Sequence, residues 1–444
     1  MFRIFVLISR YIFIGCMLLF LWETLKCCFG RDKEENSEHF VLVQRIIITV
    51  ICVLGFTVLQ IKEFSEVGIK SAYMCVSMAI YIAVFSILTD KIYRKSASVI
   101  CNCVLMLMTT GILTLTRLNG SLASRQIIWF WAGLAVICLL PVVLKRFPSP
   151  YKLKYLFIAA AIGLTAFTFF AGEEIYGSKN WISVGGIGFQ PSEISKLLLI
   201  LYLASAYKKR AYLKDVIVTG IFSAAIVLLL VMEKDLGGAL IFFMTYMIMM
   251  YAASANGLFF LAGLGAASGA ACAAYKIFNH VRVRVSAWID PWKDIDRGGY
   301  QIAQSLFAIG AGGFIGTGLT LGMPLSIPFV EKDVIFSAIC EEFGCIYGIG
   351  IILIFLTLFA LALYAALKSK SRFVSMILIG ITANMSFQTF VIIGGNLKLI
   401  PLTGVTLPFI SYGGSSLIIS MAMVSLICAG CMHAAKEAEK ECSK

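Results

Sequence analysis

The chain has 444 residues, 60% of them hydrophobic and 14% charged, where an ordinary soluble domain has about 45–50% and about 25%. So apolar a composition excludes an aqueous globule. The net charge of +13 sits in alternate short loops, the pattern of membrane topology and not of nucleic-acid binding.

A membrane helix needs about 20 mostly apolar residues, and thirteen stretches qualify. In chain order they lie at 4–24, 42–60, 72–88, 97–116, 127–144, 155–171, 192–207, 215–231, 236–253, 257–275, 334–366, 373–394 and 410–432. The fold class is therefore an all-α polytopic membrane protein. The first stretch carries Arg3 and Arg10, so a short interfacial helix is the alternative to a span there. No small-residue cleavage site follows Leu21 and Trp22, which argues against a signal peptide. Residues 1–96 read as an N-terminal extension of two or three transmembrane helices joined by the charge-mixed stretch Gly30 to His39. Residues 97–432 hold ten helices, and 433–444 form a tail.

Basic residues mark the cytoplasmic loops: Lys91, Arg94 and Lys95; Lys145, Arg146, Lys152 and Lys154; Lys208, Lys209, Arg210 and Lys214; Lys368, Lys370 and Arg372. The segments around Lys179, Lys234 and Lys398 carry one basic residue each and face outward with the long loop 276–333. The tail is then cytoplasmic. The N-terminus is outside with thirteen spans and inside with twelve.

Polar residues crowd the outer segments. From Gly177 to Lys196 the chain reads as a glycine-rich re-entrant loop, with Trp181 at the interface, Gln190 next to Pro191, and Glu193 and Lys196 sharing one face of the helix that follows. A carboxylate in a first turn can simply oppose the helix dipole, but Lys196 at membrane depth points to function. Next, Asp235 stands where a helix N-cap alone would account for it. The long loop places Asp290, Asp294 and Asp296 within seven residues, between Trp288 and Trp292 and the run Gly298 to Ser305, which includes Gln304. Such a cluster raises a carboxylate pKa or binds a divalent cation through oxygen; a solvated acidic loop is the plain alternative. Glu331, Asp333, Glu341 and Glu342 enter the next helix, where buried carboxylates need partners. Finally, Gly394 to Ser416 is broken by Pro401, Gly404 and Pro408, and Gly413-Gly414-Ser415-Ser416 can offer backbone amides to an anion or, equally, pack helices through small residues.

None of the fourteen cysteines lies in the long outer loop, so no disulfide framework is expected there. The three histidines are far apart, which argues against a histidine metal site or a His-based nucleophilic triad.

Three runs together resemble the shape, elongation, division and sporulation (SEDS) family, which includes FtsW, RodA and SpoVE. They are W-x-x-x-G-x-x-x-F-Q-P-S-E-x-x-K from Trp181 to Lys196, D-P-W-x-D with G-Y-Q-x-x-Q-S from Asp290 to Ser305, and P-L-T-G-V-T-L-P-F-I-S-Y-G-G-S-S from Pro401 to Ser416. The resemblance covers about 97–432 and implies a ten-helix core with its large outer loop between the seventh and eighth core helices. It implies a peptidoglycan glycosyltransferase that polymerises lipid II on the outer membrane face, with polyprenyl-linked glycan as donor or product and a class B penicillin-binding protein as partner. The acidic cluster and the leaving pyrophosphate add the expectation of a divalent cofactor, magnesium or manganese. The family's essential aspartate falls on Asp294. Because Asp294 is followed by Ile295, Asp296 and Arg297 where the family often has D-P-x-G, Asp296 is a rival. The family's H-T-D is Glu331-Lys332-Asp333 here. Substrate contacts are expected from Trp181, Gln190, Glu193, Lys196, Arg282, Arg284, Gln304, Ser411, Gly413 and Gly414, with Asp235 and Asp333 in support. A lipid II flippase and a noncatalytic scaffold for a penicillin-binding protein are the two alternatives.

Overall fold

The structure is a computed structural model that describes residues 2–29, 34–62, 66–93, 97–146, 150–175, 178–184, 187–296 and 298–442. The basic residues Arg94 and Lys95, the glycines Gly177, Gly185 and Gly186, part of the Gly30 to His39 link, and Arg297 lie outside the described residues.

Three long helices come first: α1 (Phe2–Phe29), α2 (Glu34–Lys62) and α3 (Glu66–Tyr93). Then follow α4 (Ser98–Leu118), α5 (Gly120–Arg146), α6 (Lys154–Ala171), α7 (Pro191–Ala206), α8 (Leu213–Met232), α9 (Leu236–Ser254) and α10 (Gly257–Ile277). The long loop carries two shorter helices, α11 (Asn279–Ile289) and α12 (Tyr300–Gly312). The chain ends on α13 (Ile335–Phe343), α14 (Cys345–Lys368), α15 (Arg372–Asn396) and α16 (Gly414–Cys442). Among the membrane-length helices α4 is the most enclosed, its buried positions running nearly its whole length; no residue of α10 is buried.

Among the described residues twelve helices are long and apolar enough to cross a membrane, which corrects the expected thirteen. The stretch at 192–207 is α7, only 16 residues long and so about 24 Å, less than a hydrocarbon core of about 30 Å. The stretch at 334–366 is not one helix. It breaks at Gly344, whose φ of 92° is open to glycine and strained for other residues; a Cβ there would stand 2.5 Å from the backbone of Phe314, Ile315 and Gly316. Loop 313–318 lies in that break: Cys345 N donates to Gly313 O, and Thr317 N and Gly318 N donate to the carbonyls of Glu341 and Glu342. The last span begins at Gly414 and not at 410, because Phe409 takes a positive φ of 66°.

The expected re-entrant loop is instead a small antiparallel sheet, β1 (Glu173–Ile175), β2 (Ser178–Val184) and β3 (Ile187–Phe189), in the order β1-β2-β3. Its alternation of Trp181 and Ser183 with Ile182 and Val184 suits a strand, a period that the glycines obscure.

The first stretch does not lie along the interface. At its start Arg10 Nη1 donates to Gly316 O at 3.1 Å. At its far end Thr24 accepts from Gln44, which in turn accepts from Asn102 near the opposite end of α4. A helix of 28 residues thus runs the height of the bundle, with its start beside loop 313–318.

Candidate active site

Every outer segment singled out in the sequence lies at one end of the bundle. There β2 meets the α8–α9 turn, with Lys179 N donating to Glu233 O at 2.9 Å. At the other end, Arg372 joins the carbonyls of Tyr207 and Ala253.

The Pro401–Gly413 segment organises the first of these ends. Its Tyr412 N donates to Glu331 O, and Ser411 Oγ donates to Lys332 O at 2.7 Å. Asn396, at the end of α15, donates to Asp333 O at 2.8 Å. The Glu331-Lys332-Asp333 backbone is therefore clasped from both sides. Lys332 Nζ stands 5.7 Å from the Trp181 ring centroid, a cation–π contact that ties the sheet to this strip. Arg284, on α11, donates to Thr403 O at 3.3 Å, and Trp288 Nε1 donates to Lys398 O at 3.1 Å. In this way the long loop is latched to the same segment.

Between these elements lies a cavity of about 100 Å³ lined by Val283, Arg284, Gly298, Gln301, Asp333 and Gly404, among others. It holds a cation beside an acid. Burial raises the Asp333 carboxyl to about 6, with Lys332 and Arg284 pulling it back down. Asp294 does not line the cavity but is tied to a residue that does: its Oδ2 accepts from Gly298 N at 3.4 Å, and its carbonyl accepts from Gly299 N at 2.9 Å. The Asp290–Gly299 turn thus folds the Asp294 carboxylate back toward a cavity-lining residue while leaving it exposed. Asp296 is also exposed, and Asp290 caps its own turn by accepting from Trp292 N.

A second polar cluster is buried beside the first. Lys196 Nζ is 2.8 Å from Glu193 Oε1 and 3.3 Å from Gln388 Oε1. Gln388 Nε2 donates to Thr406 O at 2.8 Å, and Thr406 Oγ1 donates to Ser416. On the other side Asp235 caps α9 by accepting from Gly238 N, and it also accepts from Asn180 at 2.7 Å and Gln190 at 3.4 Å. Burial raises Asp235, opposed by Gly238, Lys196 and Asn180. Capping is therefore only part of its role: Asp235 joins the sheet, the α7 entry and the α8–α9 turn.

Several expected contacts change character. With 5% of its side chain exposed, Lys196 is no free cation for a ligand; its charge is held by Glu193 and Gln388. Arg282 is exposed, and its guanidinium turns to Lys276 O, whereas Arg284 lines the cavity. Gln304 is half-buried on α12, nearly one turn beyond the cavity-lining Gln301, and does not itself line the cavity. The expected amide cradle at Gly413 is taken up by protein: Gly413 N donates to Gln126 Oε1, and Leu407 N donates to Ser411 Oγ. Gly414 faces Trp129 so closely that a Cβ would collide with the indole. Glu342, buried as expected, finds Arg117 at 3.1 Å, and Glu341 accepts from Met323 N at 2.7 Å.

Asn180, Gln388, Asn396 and Thr406 were not anticipated. A signal existed for Gln388 and Asn396, since amide side chains inside an apolar span need a reason. Among the described residues no group of three or more His, Cys, Asp or Glu could hold a metal ion.

The fold and this convergence of loops define a polytopic membrane protein whose polar loops gather at one end of its helix bundle. The model of the FtsW/RodA/SpoVE family, described as cell cycle protein, matches residues 93–436, and the chain belongs to that family. It is 31% identical over 331 residues to the peptidoglycan glycosyltransferase RodA of Mycobacterium bovis, covering 69% of each chain. To the probable peptidoglycan glycosyltransferase FtsW of Wigglesworthia glossinidia brevipalpis it is 34% identical over 326 residues, covering 69% of this chain and 82% of that one. Among solved structures, a chain from a peptidoglycan synthase complex that coordinates polymerization and crosslinking superposes with a TM-score of 0.65 at 27% identity, covering 74% of this chain and 95% of that one. The crystal structure of Thermus thermophilus RodA gives 0.54 at 26% identity, covering 74% and 94%.

Proposed function

We propose that this chain is a peptidoglycan glycosyltransferase that polymerises lipid II at the end of the bundle carrying the long loop, which faces away from the cytoplasm. The 4-hydroxyl of an acceptor GlcNAc attacks the anomeric carbon of a polyprenyl-pyrophosphate-linked MurNAc; a glycosidic bond forms and the pyrophosphate leaves. A sugar hydroxyl is a poor nucleophile at neutral pH. Asp294 takes its proton as the bond forms, a contribution of roughly 10²–10⁴ in rate. The observation that carries this assignment is the turn that brings Asp294 Oδ2 to the N–H of Gly298, which lines the cavity; among the described residues no such contact is seen for Asp296.

Arg284 supplies positive charge to the leaving pyrophosphate from the cavity wall. The Glu193–Lys196 pair positions the 401–413 segment through Gln388 and Thr406 and does not touch substrate. A magnesium or manganese ion fits this donor set only if the substrate's phosphates supply most ligands, with one or two carboxylates such as Asp294, the ordinary habit of magnesium. A class B penicillin-binding protein is the expected transpeptidase partner.

The test is polymer formation from labelled lipid II by the purified chain, with and without its cognate penicillin-binding protein. Glycan strands that lengthen with time are expected. Movement of lipid II across a vesicle membrane with no polymer would replace this reading with a flippase.

A further inference from the structure

We propose that the groove between α2 and α3 binds one anionic phospholipid, drawn from the leaflet at the end of the bundle opposite the long loop. The phosphate sits against Arg45 and an acyl chain lies along the groove. This site falls in the N-terminal helices, before the family-matched residues 93–436, and is independent of the glycosyltransferase reading.

The groove has a volume of about 450 Å³ and is lined by Arg45, Thr49, Val50, Ala79, Ala83 and Ser86, with isoleucines completing its walls. Apart from its head the lining is hydrocarbon, and Ile46 and Ile87 leave it open to lipid. Arg45 lies seven residues inside the span Glu38–Ile61, about 10 Å along the helix, a depth from which a long basic side chain reaches up toward the headgroups.

The guanidinium is held in place. Its Nη1 and Nη2 each stand 2.7 Å from an Asp90 oxygen, and Nε donates to Asn102 at 3.2 Å. Of the five N–H groups that a guanidinium carries, three are engaged, and the outer edges are left for a further acceptor. Asp90 cancels one charge, and Lys91, exposed and next to it in the chain, adds positive charge to this end of the helix pair. Such a charge favours an anionic lipid over a zwitterionic one.

Ser86 supplies an independent observation. It is 6% exposed and lines the groove, and its Oγ has no hydrogen-bond partner. A buried hydroxyl without a partner is costly, and a phosphate or ester oxygen in the groove would accept from it. Clamping α2, α3 and α4 together accounts for the Arg45–Asp90 pair but not for the open groove or this unpaired hydroxyl.

The test is native mass spectrometry of the full chain reconstituted with phosphatidylglycerol or with phosphatidylcholine and then stripped with detergent. One phosphatidylglycerol should be retained about fivefold more strongly than phosphatidylcholine. Ala83→Trp, which fills the groove without touching the ion pair, should abolish that retention, and Ser86→Ala should weaken it. Ala79→Phe, farther along the groove, gives the same reading should Ala83→Trp not fold. Equal retention of both lipids, retention undiminished in the filled-groove variants, or preference for a polyprenyl phosphate over phosphatidylglycerol would overturn the proposal.

Discussion

Asp333 is an acid whose charge depends on the fold. Its carboxyl is raised from 3.8 to about 6, chiefly by burial. Between those values the folded state binds more protons than the unfolded one, so this stability is present at low pH and is lost as pH rises through about 6. Asp333→Asn cannot titrate. Thermal unfolding in detergent should show wild type losing about 1 kcal/mol relative to the variant between about pH 5 and 7.5; parallel pH curves would mean that Asp333 titrates as an exposed acid. The sequence showed Asp333 only as one acid of a charged triplet. Its burial comes from Gly404, Leu402 and Arg284, which are distant in the chain. Gln388 was readable as an amide in an apolar span, but its link to Lys196 and Thr406 joins three separate segments that no local pattern connects.

At the scale of elements, α7 carries a nearly buried ion pair. Removing one partner leaves an uncompensated charge, and Lys196→Met should cost about 3–5 kcal/mol. Glu193→Gln combined with Lys196→Met should recover most of that stability but not the position of the 401–413 segment. Unfolding midpoints read the first effect and polymerisation rates read the second. A double variant as active as wild type would make the pair purely structural. Gly344→Ala should destabilise the α13–α14 break by about 2 kcal/mol or more, through both its positive φ and the backbone packed against it; an unchanged midpoint would show that the break tolerates a side chain. Most spans were legible because apolar length is what a membrane selects. The break at Gly344 was not, since the long apolar run after it outweighs Glu341 and Glu342 before it in a hydropathy average, and they read as acids entering one helix. The sheet at 173–189 was hidden for a related reason, its glycines reading as loop.

Across the whole molecule, the alternation of basic loops implies that 276–333 faces away from the cytoplasm. Alkaline phosphatase joined after Lys293 should be active, and joined after Lys209 inactive; the reverse pattern would put the proposed centre on the wrong side of the membrane. The many-helix membrane fold was legible from apolar length, but of the ten helices expected over 97–432 nine are of membrane length, α7 being too short. The path of α1 was legible only as a span with an interfacial helix as the alternative, and the contact of Arg10 with Gly316 is what sets its start beside loop 313–318. What joins residue, element and molecule is the placement of one carboxylate, Asp294, on the turn that carries the cavity-lining Gly298. The most direct measurement compares polymer formation from lipid II by wild type, Asp294→Asn and Asp296→Asn at equal yield, with the partner and divalent cation present. Asp294→Asn should lose about 10²-fold or more while Asp296→Asn stays near wild type; full activity in Asp294→Asn, or loss confined to Asp296→Asn, would contradict the assignment.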